Sequence, residues 1–124
     1  LADLATYVAF LTGAARRDTA AARRYETVLK RSSLLEMWRP VRPITGDAAG
    51  RIGVGLSFFM FEESGSPLVG HTGDQAGFRS FLYLNPRTSA AIMGVINTGN
   101  DADPDGTAAR WNQMNRAARL VIAR

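Results

Sequence analysis

The densest chemistry in the sequence lies in one run, Gly70-His71-Thr72-Gly73-Asp74-Gln75-Ala76-Gly77-Phe78-Arg79-Ser80. It brings the chain's single histidine together with a hydroxyl and a carboxylate, and glycines flank the His-Thr pair. An imidazole titrates near neutrality, so it can donate a hydrogen bond or carry positive charge at a reacting centre. Gly70 and Gly73 remove side chains on either side of that pair, which lets another backbone or a ligand come close. The amides just after Gly73 are candidate donors to a bound anion or oxyanion. On an extended strand His71 and Thr72 project to opposite faces, because successive side chains alternate.

Two other constellations compete with this one. His71, Asp74 and Ser80 form the one conceivable Ser-His-Asp set. Asp74 is too close in sequence to approach the imidazole edge from an extended strand, and no nucleophile elbow is visible, so this triad is rejected. Asp101-Ala102-Asp103-Pro104-Asp105-Gly106 matches the first half of a calcium loop. The position of the bidentate glutamate holds Asn112, so the preferred reading is a helix start with Asp105 as N-cap. With one histidine and no cysteine, no metal site is expected, and no cofactor.

The elements that must position the run follow from periodicity. Residues 3–12 read as an amphipathic helix, with Leu4, Tyr7, Val8 and Leu11 on one stripe, Asp3 placed to cap and Gly13 at the end. A second helix falls within 20–30, its apolar face Tyr25, Val28 and Leu29. Ser33 followed by Glu36 has the form of a capping box, so a short third helix starts there and stops at Pro40 and Pro43. From Arg51 the period changes to two. Val54, Leu56, Phe58 and Met60 alternate as in one strand, and residues 62–67 form a turn. Strands follow at Leu68–Thr72, Phe78–Leu84 and Ala90–Asn97, the last apolar enough to be buried on both faces. A final helix over about 107–123 has Trp111, Met114, Ala118, Val121 and Ile122 as its buried stripe, with Arg110, Arg116 and Arg119 facing water or reaching over apolar surface. The expected fold class is α+β: helices, an antiparallel sheet meander, then a covering helix.

Composition narrows the function classes. The 124 residues make one domain, 46% hydrophobic and 21% charged, as in a globular protein. No apolar run approaches the roughly 20 residues a membrane span needs. The net charge of +4 comes mostly from arginines scattered along the chain. Their densest group, Arg16 to Arg31, is diluted by alanines, Asp18 and Glu26, which reads as a solvated helix face and not as a nucleic-acid stripe.

The His71-Thr72-Gly73 tripeptide resembles the third active-site motif of the serine β-lactamase and penicillin-binding protein family, written Lys-Thr-Gly or His-Thr-Gly. The resemblance extends around it. Gly53 to Phe59 is similar to the strand before the motif, Gly77-Phe78-Arg79-Ser80 to the Gly-Phe-x-Ser segment after it, and Ile96-Asn97-Thr98-Gly99 to the end of the next strand. The Asp3-Leu4-Ala5 helix and Leu29 through Trp38 are similar to the helical part upstream. This implies a β-lactamase/transpeptidase-like fold and roles for each residue. His71 would supply a hydrogen bond or charge near the reacting centre, and Thr72 would bind a substrate carboxylate or carbonyl. Gly73 and Gly77 would keep the substrate strand approachable. The Asp74 N–H would form half of an oxyanion hole. The Asp74 carboxylate departs from the small residue usual at that place and must point away from it.

The same resemblance implies a Ser-x-x-Lys nucleophile and a Tyr-x-Asn or Ser-x-Asn partner, and neither occurs in a fitting place here. The chain also opens on Leu1, not on Met. Residues 1–124 are therefore expected to be the C-terminal part of a β-lactamase-like serine hydrolase domain whose N-terminal part carries the nucleophile. The whole protein would cleave a small-molecule or peptide carbonyl (a β-lactam, an amide or an ester) through an acyl-enzyme. The fragment alone would be inactive and prone to self-association. The resemblance implies a periplasmic or secreted protein. The alternative is a non-catalytic binding module that keeps the fold.

Overall fold

The computed structural model describes residues 2–13, 19–47, 49–75, 77–97 and 104–124. Three helices come first: α1 (Ala2–Thr12), α2 (Thr19–Val28) and α3 (Arg31–Met37). Six strands follow: β1 (Arg42–Pro43), β2 (Arg51–Val54), β3 (Phe59–Glu63), β4 (Ser66–Gln75), β5 (Phe78–Asn85) and β6 (Ala90–Ile96). Helix α4 (Pro104–Ile122) closes the order. All six strands pair antiparallel with their sequence neighbours in one sheet ordered β1-β2-β3-β4-β5-β6, so the α+β meander is observed.

Strand alternation splits the core in two. Met60, Val69 and Leu84 follow one another in register and pack with Leu11, Leu34 and Trp38 of the first helices. On the opposite face Phe61, Leu68, Phe81 and Tyr83 pack with Ala118 and Ile122 of α4. The sheet is thus covered by helices on both sides, which is what its period-two apolar pattern requires.

Several local expectations are corrected. The run from Arg51 to Met60 is two strands, because the chain reverses at Gly55–Phe58, where the Gly55 N–H donates to the Phe58 carbonyl at 2.8 Å and Ser57 has φ of 63°. A side chain at Gly55 would overlap the Met37 carbonyl and lie 2.8 Å from that of Arg39, so the end of α3 holds this turn against the sheet. Large apolar residues alternate straight across the reversal, which disguised it as one strand. The expected 62–67 turn contracts to Ser64-Gly65, with φ of 52° and 76°, the two positive values of a tight hairpin. That contraction adds Ser66 and Pro67 to β4, which also runs on past Thr72 to Gln75 and so reaches ten residues. Strand β6 is not buried on both faces: it is the last strand of the sheet, and Val95 is 62% exposed.

The helices differ from expectation mainly at their ends. No side chain caps α3, whose N-cap is Lys30; the Arg31 N–H donates instead to the Glu26 carboxylate at 3.2 Å. Asp3 lies in the first turn of α1, where it suits the helix dipole, and not at the cap. Helix α4 begins at Pro104, so Asp105 is inside the first turn and is not the N-cap. Asp101 and Asp103 of the calcium-like run lie outside the described residues. Along α4 the buried stripe takes in Asn115 and Arg119, while Val121 is exposed. Arg119 neither faces water nor skims the surface. Its Nε donates to the Glu63 carboxylate at 2.9 Å, and its guanidinium lies over the Phe61 ring.

Candidate active site

Strand β4 carries the His-Thr-Gly run, and its length is the first structural fact about the site. Pairing with β3 ends at Phe59↔Gly70, whereas pairing with β5 continues through Gln75↔Phe78. Among the described residues, His71 to Gln75 therefore have a strand partner on one side alone. Such an edge presents unpaired backbone groups to which an extended ligand can add.

Register sorts the side chains along this segment. His71 aligns with Leu82 and Met93, and Gly73 with Ser80 and Val95. Thr72 aligns with Phe81 and Gly94, and Asp74 with Arg79 and Ile96. Alternation puts the first two rows on one face and the second two on the other. His71 and Asp74 are thus not brought together, and no Ser-His-Asp set forms.

His71 is exposed and stacks on Phe59, with ring centroids 4.9 Å apart and 27° between planes. Phe59 in turn carries the Arg51 guanidinium at 4.7 Å. Arg51 is fixed by Asp47, whose carboxylate accepts from both its Nε and its backbone N–H at 2.9 Å. That pairing holds the Asp47 carboxyl down at about 2, led by the side-chain hydrogen bond from Arg51. The Asp47–Arg51–Phe59 chain therefore supports the imidazole from behind β3. Nothing in the sequence pointed to it, since the stack joins residues on different strands.

The Asp74 carboxylate accepts from Arg79 Nε at 2.9 Å, and the Arg79 guanidinium lies 5.8 Å from the Trp111 ring centroid. The charge is neutralised beside Trp111 of α4. The Asp74 backbone remains on the open segment of β4.

The glycines differ in what they do. A Cβ on Gly70 would overlap the Leu82 carbonyl oxygen and lie 2.7 Å from Tyr83 Cδ1, so this glycine serves packing and leaves no room for a ligand. A Cβ on Gly73 would meet the Ser80 hydroxyl oxygen alone, at 2.8 Å. Gly77 has φ of 88° in the link between Gln75 and Phe78, a conformation that side chains resist, and its surroundings are open.

His71, Thr72 and Gly73 border a cleft of about 220 Å³ between α1 and strands β4–β6. Ser80 joins them, and Asp74 and Gly77 lie outside the lining. No group of three or more His, Asp or Glu side chains among the described residues is placed to hold a metal ion.

The chain belongs to the Beta-lactamase family, whose sequence model matches residues 1–114. It is a family of penicillin-binding-protein-like hydrolases. Among solved structures, the D-amino acid amidase from Ochrobactrum anthropi SV3, complexed with L-phenylalanine, matches with a TM-score of 0.57 at 21% identity. The match covers 76% of this chain and 26% of that one, so the chain spans about a quarter of the amidase's length. At that identity the likeness shows the fold. No curated protein matches the sequence at a significant level. No helix among the described residues is long and apolar enough to cross a membrane.

Proposed function

We propose that this chain supplies the substrate-binding strand of a serine hydrolase that cleaves a β-lactam, peptide amide or ester carbonyl through an acyl-enzyme. The observation that carries the reading is the open edge of β4 at His71–Gln75, the one stretch of the strand without a β3 partner. There the carbonyl of an extended substrate would lie along the strand, with the Asp74 N–H donating to its oxygen. Removing one such donor typically costs about 10²–10³ in rate.

The remaining roles follow from position. Thr72 would bind a substrate carboxylate or carbonyl through its hydroxyl. His71, held by Phe59, would place a hydrogen bond or a positive charge near the leaving group. The 124 residues hold no Ser-x-x-Lys, and their single lysine is Lys30. The nucleophile would therefore belong to a part of the protein outside this sequence, and these residues alone would form no acyl adduct. In the reaction that serine's oxygen bonds to the carbonyl carbon and its proton passes to a base. The leaving group departs with a proton, and water then hydrolyses the acyl-serine. The family resemblance, and not the mechanism, is what suggests a periplasmic or secreted protein.

The test is intact mass spectrometry of the native protein after incubation with a fluorescent penicillin or a fluorophosphonate. A protein larger than 13.4 kDa bearing one stable adduct on a serine outside this sequence supports the reading. A native mass equal to this chain with no adduct refutes it, and leaves a binding module that keeps the family's fold.

A further inference from the structure

We propose that the polar cleft between α4 and the turn before β2 is a second binding site, and that it takes an oxyanion: the phosphate or carboxylate group of a small molecule. The inference goes beyond the hydrolase reading and does not depend on it.

Both walls of this cleft belong to the described residues. Asn112, Gln113, Arg116 and Arg119 of α4 form one, and Asp47, Gly50 and Glu63 form the other. The volume between them is about 450 Å³, within the roughly 300–1,000 Å³ of small-molecule sites. The cleft shares no lining residue with the one beside His71.

Three observations assign the ligand's charge. The first is that both carboxylates at the cleft are already matched. Asp47 pairs with Arg51 at 2.6 Å, and Glu63 with Arg119 at 2.9 Å. The second is what stays uncommitted. Asn112, Arg116 and Arg119 recur at i, i+4 and i+7, so α4 presents them on one stripe, with Gln113 three positions before Arg116. Among the described residues no hydrogen bond or ion pair occupies the Arg116 guanidinium or the amides of Asn112 and Gln113. Arg51, Arg116 and Arg119 also outweigh Asp47 and Glu63 by one positive charge.

The third is how Arg119 is used. Its side chain is 5% exposed, and its nitrogens divide between partners. Nε serves Glu63, and Nη1 lies 3.4 Å from the Tyr83 hydroxyl. Nη2 has no acceptor among the described residues, and it stands beside Gly50, 3.0 Å from where a Cβ would be. Gly50 lines the cleft, with φ of 78° in a turn that its N–H closes on the Asp47 carbonyl at 3.0 Å. A guanidinium held from behind in this way offers an oxyanion a charged donor whose long side chain is already ordered.

The test is thermal unfolding of the native protein in inorganic phosphate, in succinate and in chloride at matched ionic strength. Phosphate or succinate should raise Tm with a saturable dependence on concentration, as a ligand of the folded state does, and chloride should not. The anion that shifts Tm further tells whether the group is phosphoryl or carboxylate. Arg116→Gln and Asn112→Asp, both at exposed positions, should leave Tm in chloride near the native value. Each should weaken the Kd for the anion by about tenfold or more, the worth of one hydrogen bond to a charged group. His71→Ala should leave the shift intact. An equal shift in chloride, a shift that survives both α4 substitutions, its loss in His71→Ala, or no shift in either anion overturns the inference, and none of these outcomes touches the hydrolase reading.

Discussion

Gly70 and Gly73 sit three positions apart on one strand, yet alanine should treat them very differently. At Gly73 the added Cβ meets a single atom, Ser80 Oγ, at 2.8 Å. A hydroxyl can leave by changing rotamer, at about 0.5–1.5 kcal/mol for an imperfect setting. Replacing glycine also restricts the unfolded chain, which returns about 0.4–1 kcal/mol. Gly73→Ala should therefore change stability by no more than about 1 kcal/mol. At Gly70 the obstacle is the Leu82 backbone carbonyl, with Tyr83 Cδ1 at 2.7 Å behind it. Neither can rotate away without loosening the β4–β5 ladder, and the Tyr83 hydroxyl is itself tied to Asn115. Gly70→Ala should cost at least the upper end of the about 1–3 kcal/mol usual for overpacking. Urea unfolding followed by the fluorescence of Trp38 and Trp111 would measure both, one indole in each core. Ser80→Ala and the double variant Gly73→Ala/Ser80→Ala complete the cycle. Deleting the hydroxyl should remove the penalty at 73, giving a coupling of about 0.5–1.5 kcal/mol. Equal effects of the two glycine substitutions, or no coupling between 73 and 80, would refute the reasoning. If the double variant is folded but acylates about 10²-fold more slowly, the glycine at 73 is also needed for close substrate approach.

Three further predictions follow from the charged groups. Arg119→Met strands the nearly buried Glu63 carboxylate and should cost about 3–5 kcal/mol by thermal unfolding, with Glu63→Leu in the same molecule recovering most of it; equal losses in the single and double variants would contradict a buried pair. Asp74→Asn should leave kcat/KM within about threefold, because the carboxylate is held by Arg79 and the backbone N–H is untouched; a loss of about 10² would place that side chain in the chemistry. Asp47, held from 3.8 down to about 2 by Arg51, contributes stability above its unfolded pKa that is lost as pH falls through its folded one. Asp47→Asn should therefore flatten the stability profile between about pH 4 and pH 2, by at most about 1 kcal/mol given its solvent screening.

How much was legible depended on whether a signal was local. The β4–β5–β6 order followed from the apolar runs at Leu68–Thr72, Phe78–Leu84 and Ala90–Asn97, each short enough to be a strand. The His-Thr-Gly run could be placed on a strand for the same reason. What failed was decided by contacts distant in sequence. The reversal at Gly55–Phe58 is held by the carbonyl end of α3, which accepts the Leu56 N–H at 2.9 Å through Met37. The first amide of α3 is satisfied by Glu26, and the local Ser33–Glu36 pattern is not used. Arg119 read as a surface residue because its spacing fits a solvated face; its partner Glu63 lies 56 positions away.

The support for His71 shows most clearly why a site is harder to read than a fold. The sequence offers an imidazole between two glycines and nothing that would hold its ring. The structure supplies the hold from β2 and β3, through Arg51 and Phe59, in the region where the strand pattern was misleading. Because β2 and β3 are two strands and not one, Phe59 starts a strand opposite Gly70, one position short of the histidine. The break in the strand thus does two things at once. It ends the β3 pairing so that His71 to Gln75 keep a free edge, and it leaves an aromatic ring at the boundary to carry the imidazole. Phe59→Leu separates these effects: the edge would persist and the stack would vanish. If ring support matters, kcat should fall while KM holds, and an unchanged kcat would leave the open edge as the working feature of β4.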